Sequence, residues 1–319
     1  MTLVETIVRI VESCKNQYPC DVDIRYKEPM AQHCTFKVGG PADCWVRPTG
    51  EGFPKFAAAL LKEAHRENVP VFILGGGANI LVADGGIRGI VVDTGGWTGL
   101  AAREDGLLEF RAGTSLDAAA ETAAALGLSG LEFLAGMPGS IGGALWMNAR
   151  AYGDEIADVL RETEIVDFSS PLPGRLRLPV KREEFNYKKS PFQGRRQLII
   201  SAVFKLTPAS EGEIRERMEA NRADRTSRGH YRYPCAGSVF KNNPDFGKPS
   251  GQIIDELGLR GLQIGGAQIA PWHGNIIINT GDQAATAQDI RALVDDVSQK
   301  VTAATGFTLD PEILFVGDW

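Results

Sequence analysis

The chain has 319 residues, 43% apolar and 23% charged, which is globular usage at a length too great for one ordinary core. A formal charge of −6 argues against a nucleic-acid partner, which would favour a basic domain. Five cysteines without a C-x-x-C pair, and four histidines (33, 65, 230, 273) without ligand spacing, argue for reduced thiols and against a disulfide framework or a metal site.

The first residues carry Glu5 and lack a basic start before an apolar core, and no later run is long enough to span a bilayer. A cytoplasmic protein off the membrane is therefore expected. Residues 2–14 put Leu3, Ile7, Ile10 and Val11 at helical spacing. Thr35 to Val46 reads as a strand broken at Gly39-Gly40, and Phe53 to Asn68 as a helix with Ala57, Leu60, Leu61 and Ala64 on one face. Val69–Leu74 is a buried strand running into a first glycine cluster, and Gly89–Asp93 is another strand after the turn Asp84-Gly-Gly. Residues 107–113 form a strand, and Ser115 caps a helix that stops at Gly127, just before a second glycine cluster. The stretch 160–206 reads as a strand-rich meander, and Pro208-Ala-Ser-Glu-Gly as a linker. A charged helix at 211–225, a helix at 249–258, a strand at 274–279 and a helix at 285–304 follow, and the tail ends in an apolar strand. This order predicts an α+β chain in three pieces, 1–94, 95–208 and 209–306, with the tail 307–319 returning to the first.

The two glycine clusters carry the strongest chemical signal. The first is Gly75, Gly76, Gly77, Ala78, Asn79, Ile80 and Leu81; the second contains Gly136, Pro138, Gly139, Ser140, Gly142, Gly143 and Ala144. Glycine lets main chain approach a ligand closely, and successive amides form an anion-binding concavity. Each cluster stands at an element end and includes or precedes an amide side chain (Asn79, Asn148), which favours a phosphate cradle over bare tight turns. Neither fits G-x-G-x-x-G or the P-loop template. In Tyr233 to Asn242, Ser238 lies between Gly237 and an apolar pair, with Lys241 and Asn242 behind it; Ala236 and Phe240 exclude a hydrolase elbow. Glu312 precedes the apolar tail strand, where burial would make a carboxyl a proton source and exposure an idle edge charge. Tyr187-Lys-Lys-Ser190 and the arginine-rich run 221–232 offer cations to an anionic substrate, or a solvated basic face.

These segments resemble a known family. Thr35-Phe-Lys-Val-Gly-Gly-Pro-Ala and the two glycine clusters are similar to the FAD-binding fold of the vanillyl-alcohol oxidase (PCMH) class. Ala236 to Asn242, Gly265 to Asn275 and Asp310-Pro-Glu312 narrow the resemblance to the UDP-N-acetylenolpyruvoylglucosamine reductases. The short link between Phe240 and Gly258 resembles their compact subtype. The resemblance implies two FAD-binding subdomains and a C-terminal substrate domain, in a monomeric enzyme of peptidoglycan synthesis. NADPH is expected as hydride donor and the enolpyruvyl ether of a UDP-amino sugar as the small-molecule substrate. It implies Ser238 as proton donor, Glu312 as the acid beside it, and Tyr187, Lys241, Asn242 and His273 at the substrate. Lys188 stands where the family usually has arginine, which keeps the charge but loses the bidentate fork. An extra Asn243 before Pro244 is a second departure. Residues 69–93 contain no histidine, so noncovalent FAD is expected. A same-fold sugar or aldonolactone oxidase, and a non-catalytic flavin- or UDP-sugar-binding paralogue, remain the rivals at this point.

Overall fold

The structure is a computed structural model that describes residues 2–102, 107–169, 174–281 and 285–319; residues 170–173 of the predicted meander lie outside the described residues. The chain divides into two compact units. The first comprises Met1–Lys27, Asp43–Gly76 and Gly89–Ala223, and the second Glu28–Ala42, Gly77–Arg88 and Asp224–Trp319.

The first unit opens on the helix Leu3–Gln17, where Thr2 and Glu5 form a capping box and Ile7, Ile10, Val11 and Cys14 are buried. Leu3, expected on that apolar face, is 40% exposed. The helix Phe53–Arg66 buries Ala57, Leu60, Leu61 and Ala64 completely, so its 3.6-residue apolar spacing decides its orientation. Both helices share one core with a four-stranded sheet, ordered Asp21–Pro29, Pro41–Thr49, Ile87–Asp93, Val71–Leu74. The last pair is parallel, Val71 opposite Ile90 and Leu74 opposite Asp93.

A second core of this unit joins the helix Leu116–Ala125, capped by Ser115 through the N–H of Ala118, to the five-stranded sheet. That sheet runs Gly174–Pro179, Leu160–Asp167, Gln197–Phe204, Leu108–Arg111, Leu100–Ala102, with every pair antiparallel. Arg177 serves two buried carboxylates on it, Glu109 at 3.0 Å and Glu164 at 3.1 Å.

Residues 35–38, predicted as strand, form a turn instead. The N–H of Thr35 donates to Gly77 O and that of Lys37 to Cys34 O, with Lys37 at φ +59°, so these groups are taken from any ladder. Strand Asp21–Pro29 was not anticipated, although Val22 and Ile24 alternate with polar residues at period two. The stretch read as a linker at 208–212 is exposed but held: Thr207–Pro208 pairs with Leu128–Ser129, Ala209 N–H donates to Gly127 O, and the helix Glu211–Ser227 that starts within it buries Ile214 and Met218. Arg222 on that helix bonds Asp117 and Glu121 at 2.7 and 2.6 Å. Chain continuity therefore carries the first unit to Ala223, inside a helix.

The second unit holds a three-stranded antiparallel sheet, Gln263–Ile264, Ala267–Ile269, Ile277–Asn279, with the helices Ser250–Glu256 and Ala287–Thr305. Strand Leu314–Val316 lies parallel to Ile80–Val82.

Candidate functional site

In the first unit, strand Val71–Leu74 ends where Thr94 Oγ1 donates to Leu74 O, and Gly75 and Gly76 turn the chain against the second glycine cluster. A Cβ on Gly75 would stand 2.7 Å from Ser140 Oγ, and one on Gly76 2.6 Å from Gly139 Cα. At Gly76 bare main chain thus meets bare main chain, an approach any side chain would prevent. Ser140 caps the helix Ile141–Met147, its Oγ accepting from the Gly143 N–H. Gly136 N–H donates to Asp117 Oδ1 at 2.8 Å. Burial raises the Asp117 carboxyl, but Arg222 and that N–H outweigh it and hold the group below its usual range.

The spent and unspent amides sort the two clusters. Gly136, Gly142, Gly143 and Ala144 donate within the fold. The N–H groups of Gly76, Gly77, Ala78, Asn79, Gly139 and Ser140 donate to no acceptor among the described residues. Ser140 in the first unit and Gly77 in the second are buried, where an unpaired N–H is costly, so each loop taken by itself fits an anionic group such as a phosphate.

Gly77 begins the second unit's share of the first cluster. It has φ +62°, and a Cβ there would sit 2.0 Å from His33 O. Ile80 and Leu81 are buried and pair with Leu314 and Phe315, so their side chains belong to packing. Asn79 Nδ2 donates to Glu312 O at 3.0 Å, while Leu314 N–H donates to Asn79 O at 3.0 Å.

The second unit also brings Ser238 and Glu312 together. Ser238 bridges Ile276, Phe240 bridges Pro311, and Glu312 N–H donates to Val239 O at 2.7 Å. Both residues are half-buried. Asn275, 4% exposed, grips the main chain of Phe240 from both sides, its Oδ1 accepting from the N–H and its Nδ2 donating to the carbonyl. Sequence reasoning passed over Asn275, although its place in His-Gly-Asn marks a short polar residue entering an apolar strand. Lys241 Nζ pairs with Asp310 at 2.7 Å, and Asn242 Oδ1 accepts from the Ser250 N–H at the start of a helix. The extra Asn243 has a structural use. Its Oδ1 accepts from Asp245 N–H and opens the turn Pro244–Phe246, which stacks Phe246 on Phe307 at 4.3 Å.

Tyr187 and Lys188 lie in the first unit, at the tip of a turn closed by two 3.0 Å bonds between Asn186 and Lys189. Lys188 has φ +57°, a left-handed conformation few non-glycine residues adopt. Buried Asn148 donates to Asn186 O at 2.9 Å and to Glu155, and buried Ser190 donates to Trp146 O at 2.7 Å. The cation's turn is therefore anchored to the helix that carries the end of the second glycine cluster.

His273 Nδ1 accepts from Asn275 N–H, and its ring lies 6.2 Å from that of His230. Burial, then the charges of Arg225, His273 and Arg228, push His230 down to about 4; burial and Arg228 and Arg260 lower His273 too. A folded-state value below the unfolded one makes stability fall as pH drops from the ordinary 6.5 toward 4, because the unfolded chain binds the proton first. Thermal midpoints across that window should decline in the parent protein and decline less in His230→Gln; identical slopes would remove His230 from the account.

Two family models match the chain: the FAD binding domain over residues 55–170, and the C-terminal domain of UDP-N-acetylenolpyruvoylglucosamine reductase over 229–316. The UDP-N-acetylenolpyruvoylglucosamine reductase of Treponema pallidum is 39% identical over 92% of this chain and 94% of its own length. That of Treponema denticola is 38% identical over 93% and 94%. The crystal structure of UDP-N-acetylenolpyruvylglucosamine reductase from Thermus caldophilus superposes with a TM-score of 0.73 at 32% identity, covering 93% of this chain and 99% of that one.

Proposed function

The chain belongs to the UDP-N-acetylenolpyruvoylglucosamine reductase family, and from that premise we propose how its residues divide the work. The protein is an FAD-dependent, NADPH-consuming oxidoreductase of the FAD-binding PCMH-type fold, and it serves peptidoglycan precursor synthesis. Its substrate is the enolpyruvyl ether of UDP-N-acetylglucosamine and its product UDP-N-acetylmuramate. FAD, when bound, relays hydride from NADPH to the enolpyruvyl double bond.

The chain's own groups then have four tasks. The unpaired amides at 76–79 and 139–140 hold the FAD diphosphate, noncovalently. Ser238 delivers a proton from Oγ to the carbon next to the one that receives hydride, and Glu312 supplies or relays that proton. Lys188 faces the substrate carboxylate as a point charge and stabilises the enolate as it builds. Tyr187, Lys241, Asn242 and His273 orient the nucleotide sugar. Of these, Asn242 acts through the helix start it caps and Lys241 through its pairing with Asp310. We assign the flavin to 1–94 and 95–208 and the substrate to 209–306, with the tail returning Glu312. Unpaired Cys14, Cys20, Cys34, Cys44 and Cys235 agree with work in a reducing cytoplasm, and no helix among the described residues is long and apolar enough to cross a membrane.

The observation that carries this reading is the main-chain clamp joining the segment of Ser238 to Glu312 within the region that matches the family's C-terminal domain. Anaerobic NADPH should bleach the yellow protein, and the enolpyruvyl substrate should restore the colour with one lactyl ether formed per flavin. Acid denaturation should release all the flavin into the supernatant. Colour restored by oxygen but not by the enolpyruvyl ether would favour an oxidase and overturn the assignment.

A further inference from the structure

We propose that Asn79 is a positioning residue whose side chain couples the seating of the flavin diphosphate to the placement of Glu312, an inference that rests on the function proposed above. Asn79 lies in the first glycine cluster, beside the N–H groups of Gly77 and Ala78 that have no acceptor among the described residues. Such a residue is expected to turn its amide to the ligand. Here the Nδ2 is instead committed to Glu312 O at 3.0 Å, and the return bond from Leu314 N–H to Asn79 O closes a reciprocal pair.

The peptide groups on either side of Glu312 Cα are thus held from two directions. The N–H goes to Val239 O, next to Ser238, and the carbonyl goes to the Asn79 amide. The Cα of Glu312 has little freedom left, so the point from which its side chain springs is fixed beside Val239 by main chain that begins at the flavin loop. The pairing continues past this point in parallel register, Leu314 with Ile80 and Val316 with Val82. A loop drawn onto a diphosphate by its own amides moves Asn79, and through Asn79 it fixes the tail. By linkage, whatever fixes the tail also favours the loop conformation that binds the cofactor. The cluster would in this way report to the acid that its cofactor is in place, without the Asn79 side chain touching the flavin.

A plain structural bond would look the same in a static picture, so the test reads the coupling itself. Amide hydrogen exchange of the full-length protein is compared without and with saturating FAD. The Leu314 N–H and the segment 312–316 are expected to slow about tenfold or more on loading, a coupling of roughly 1.4 kcal/mol. In Asn79→Ala that slowing should be largely lost, and flavin affinity should weaken by a similar factor. With FAD saturating, transfer to substrate should fall about ten- to a hundredfold, and by more than NADPH bleaching does. Asn79→Asp offers the same shape and donates only when protonated, so its transfer rate should recover toward low pH. Exchange at 312–316 that is indifferent to FAD in the parent protein would overturn the proposal whether or not the variants fold. So would equal losses in both half-reactions of a well-folded Asn79→Ala. Because the exchange measurement needs no substrate, it stands or falls separately from the assigned reaction.

Discussion

Ser238→Ala is expected to leave NADPH reduction of the flavin unchanged and to slow reduction of the enolpyruvyl substrate by about 10²- to 10⁴-fold, the usual range for a positioned proton donor. The separation follows from where the residue sits. Ser238 is half-buried on a short bridge to Ile276, and the main chain beyond it is fixed through Phe240 by Asn275. Removing one hydroxyl leaves every one of those main-chain bonds in place, so stability should change by less than about 1 kcal/mol. Stopped-flow traces of the two half-reactions make the measurement. Incorporation of solvent deuterium at that carbon should slow together with the rate in the variant, since another donor must then reach it. An unchanged substrate half-reaction would show that the proton comes from elsewhere, with Glu312 the next candidate.

Gly76→Ala, the smallest side chain that can be added, should cost the protein its flavin. The new Cβ would stand 2.6 Å from Gly139 Cα and 2.7 Å from its carbonyl carbon, and main chain on both sides leaves no rotamer to absorb the overlap. Carbon atoms rest about 3.5–4.0 Å apart, so one loop must move by roughly 1 Å. Overpacking of this kind costs about 1–3 kcal/mol, and the loops that would move carry the unpaired amides assigned to the diphosphate. Affinity for FAD should therefore fall by about ten- to a hundredfold, and the purified variant should be pale. Gly143 in the same cluster provides the control. Its Cβ would meet nothing nearer than Ser140 Oγ at 3.5 Å, an ordinary contact, so Gly143→Ala should hold its flavin. Titration of both apoproteins with FAD, followed by quenching of flavin fluorescence, measures the difference. A Gly76→Ala protein with full flavin content would mean that the diphosphate does not use this contact.

Several parts of this architecture can be read in the sequence because their causes are local. The helix Phe53–Arg66 follows from the spacing of Ala57, Leu60, Leu61 and Ala64, and the start of Leu116–Ala125 from the Ser115 hydroxyl. The glycine clusters are legible as bare loops, and the family resemblance places Ser238 and Glu312. Other parts depend on partners far along the chain. Residues 35–38 have strand composition, but Thr35 N–H is claimed by Gly77 and the segment turns. Asn148, noted only as an amide after a loop, proves to hold Asn186 and with it the left-handed Lys188. Asn275 works by mimicking a neighbouring strand on both sides of Phe240, which no local pattern encodes. The commitment of Asn79 to Glu312 spans 233 residues, and nothing near either residue announces it.

The parallel pairing of Ile80–Val82 with Leu314–Val316 also bears on biosynthesis. The earlier strand is complete when most of the polypeptide has yet to be made, and its mate emerges more than two hundred residues later. Through that interval Ile80, Leu81 and Val82, all buried when folding ends, offer an apolar edge to any neighbouring nascent chain. Closing so distant a pair is slow for entropic reasons, which makes this edge the place where chaperone shielding would matter most.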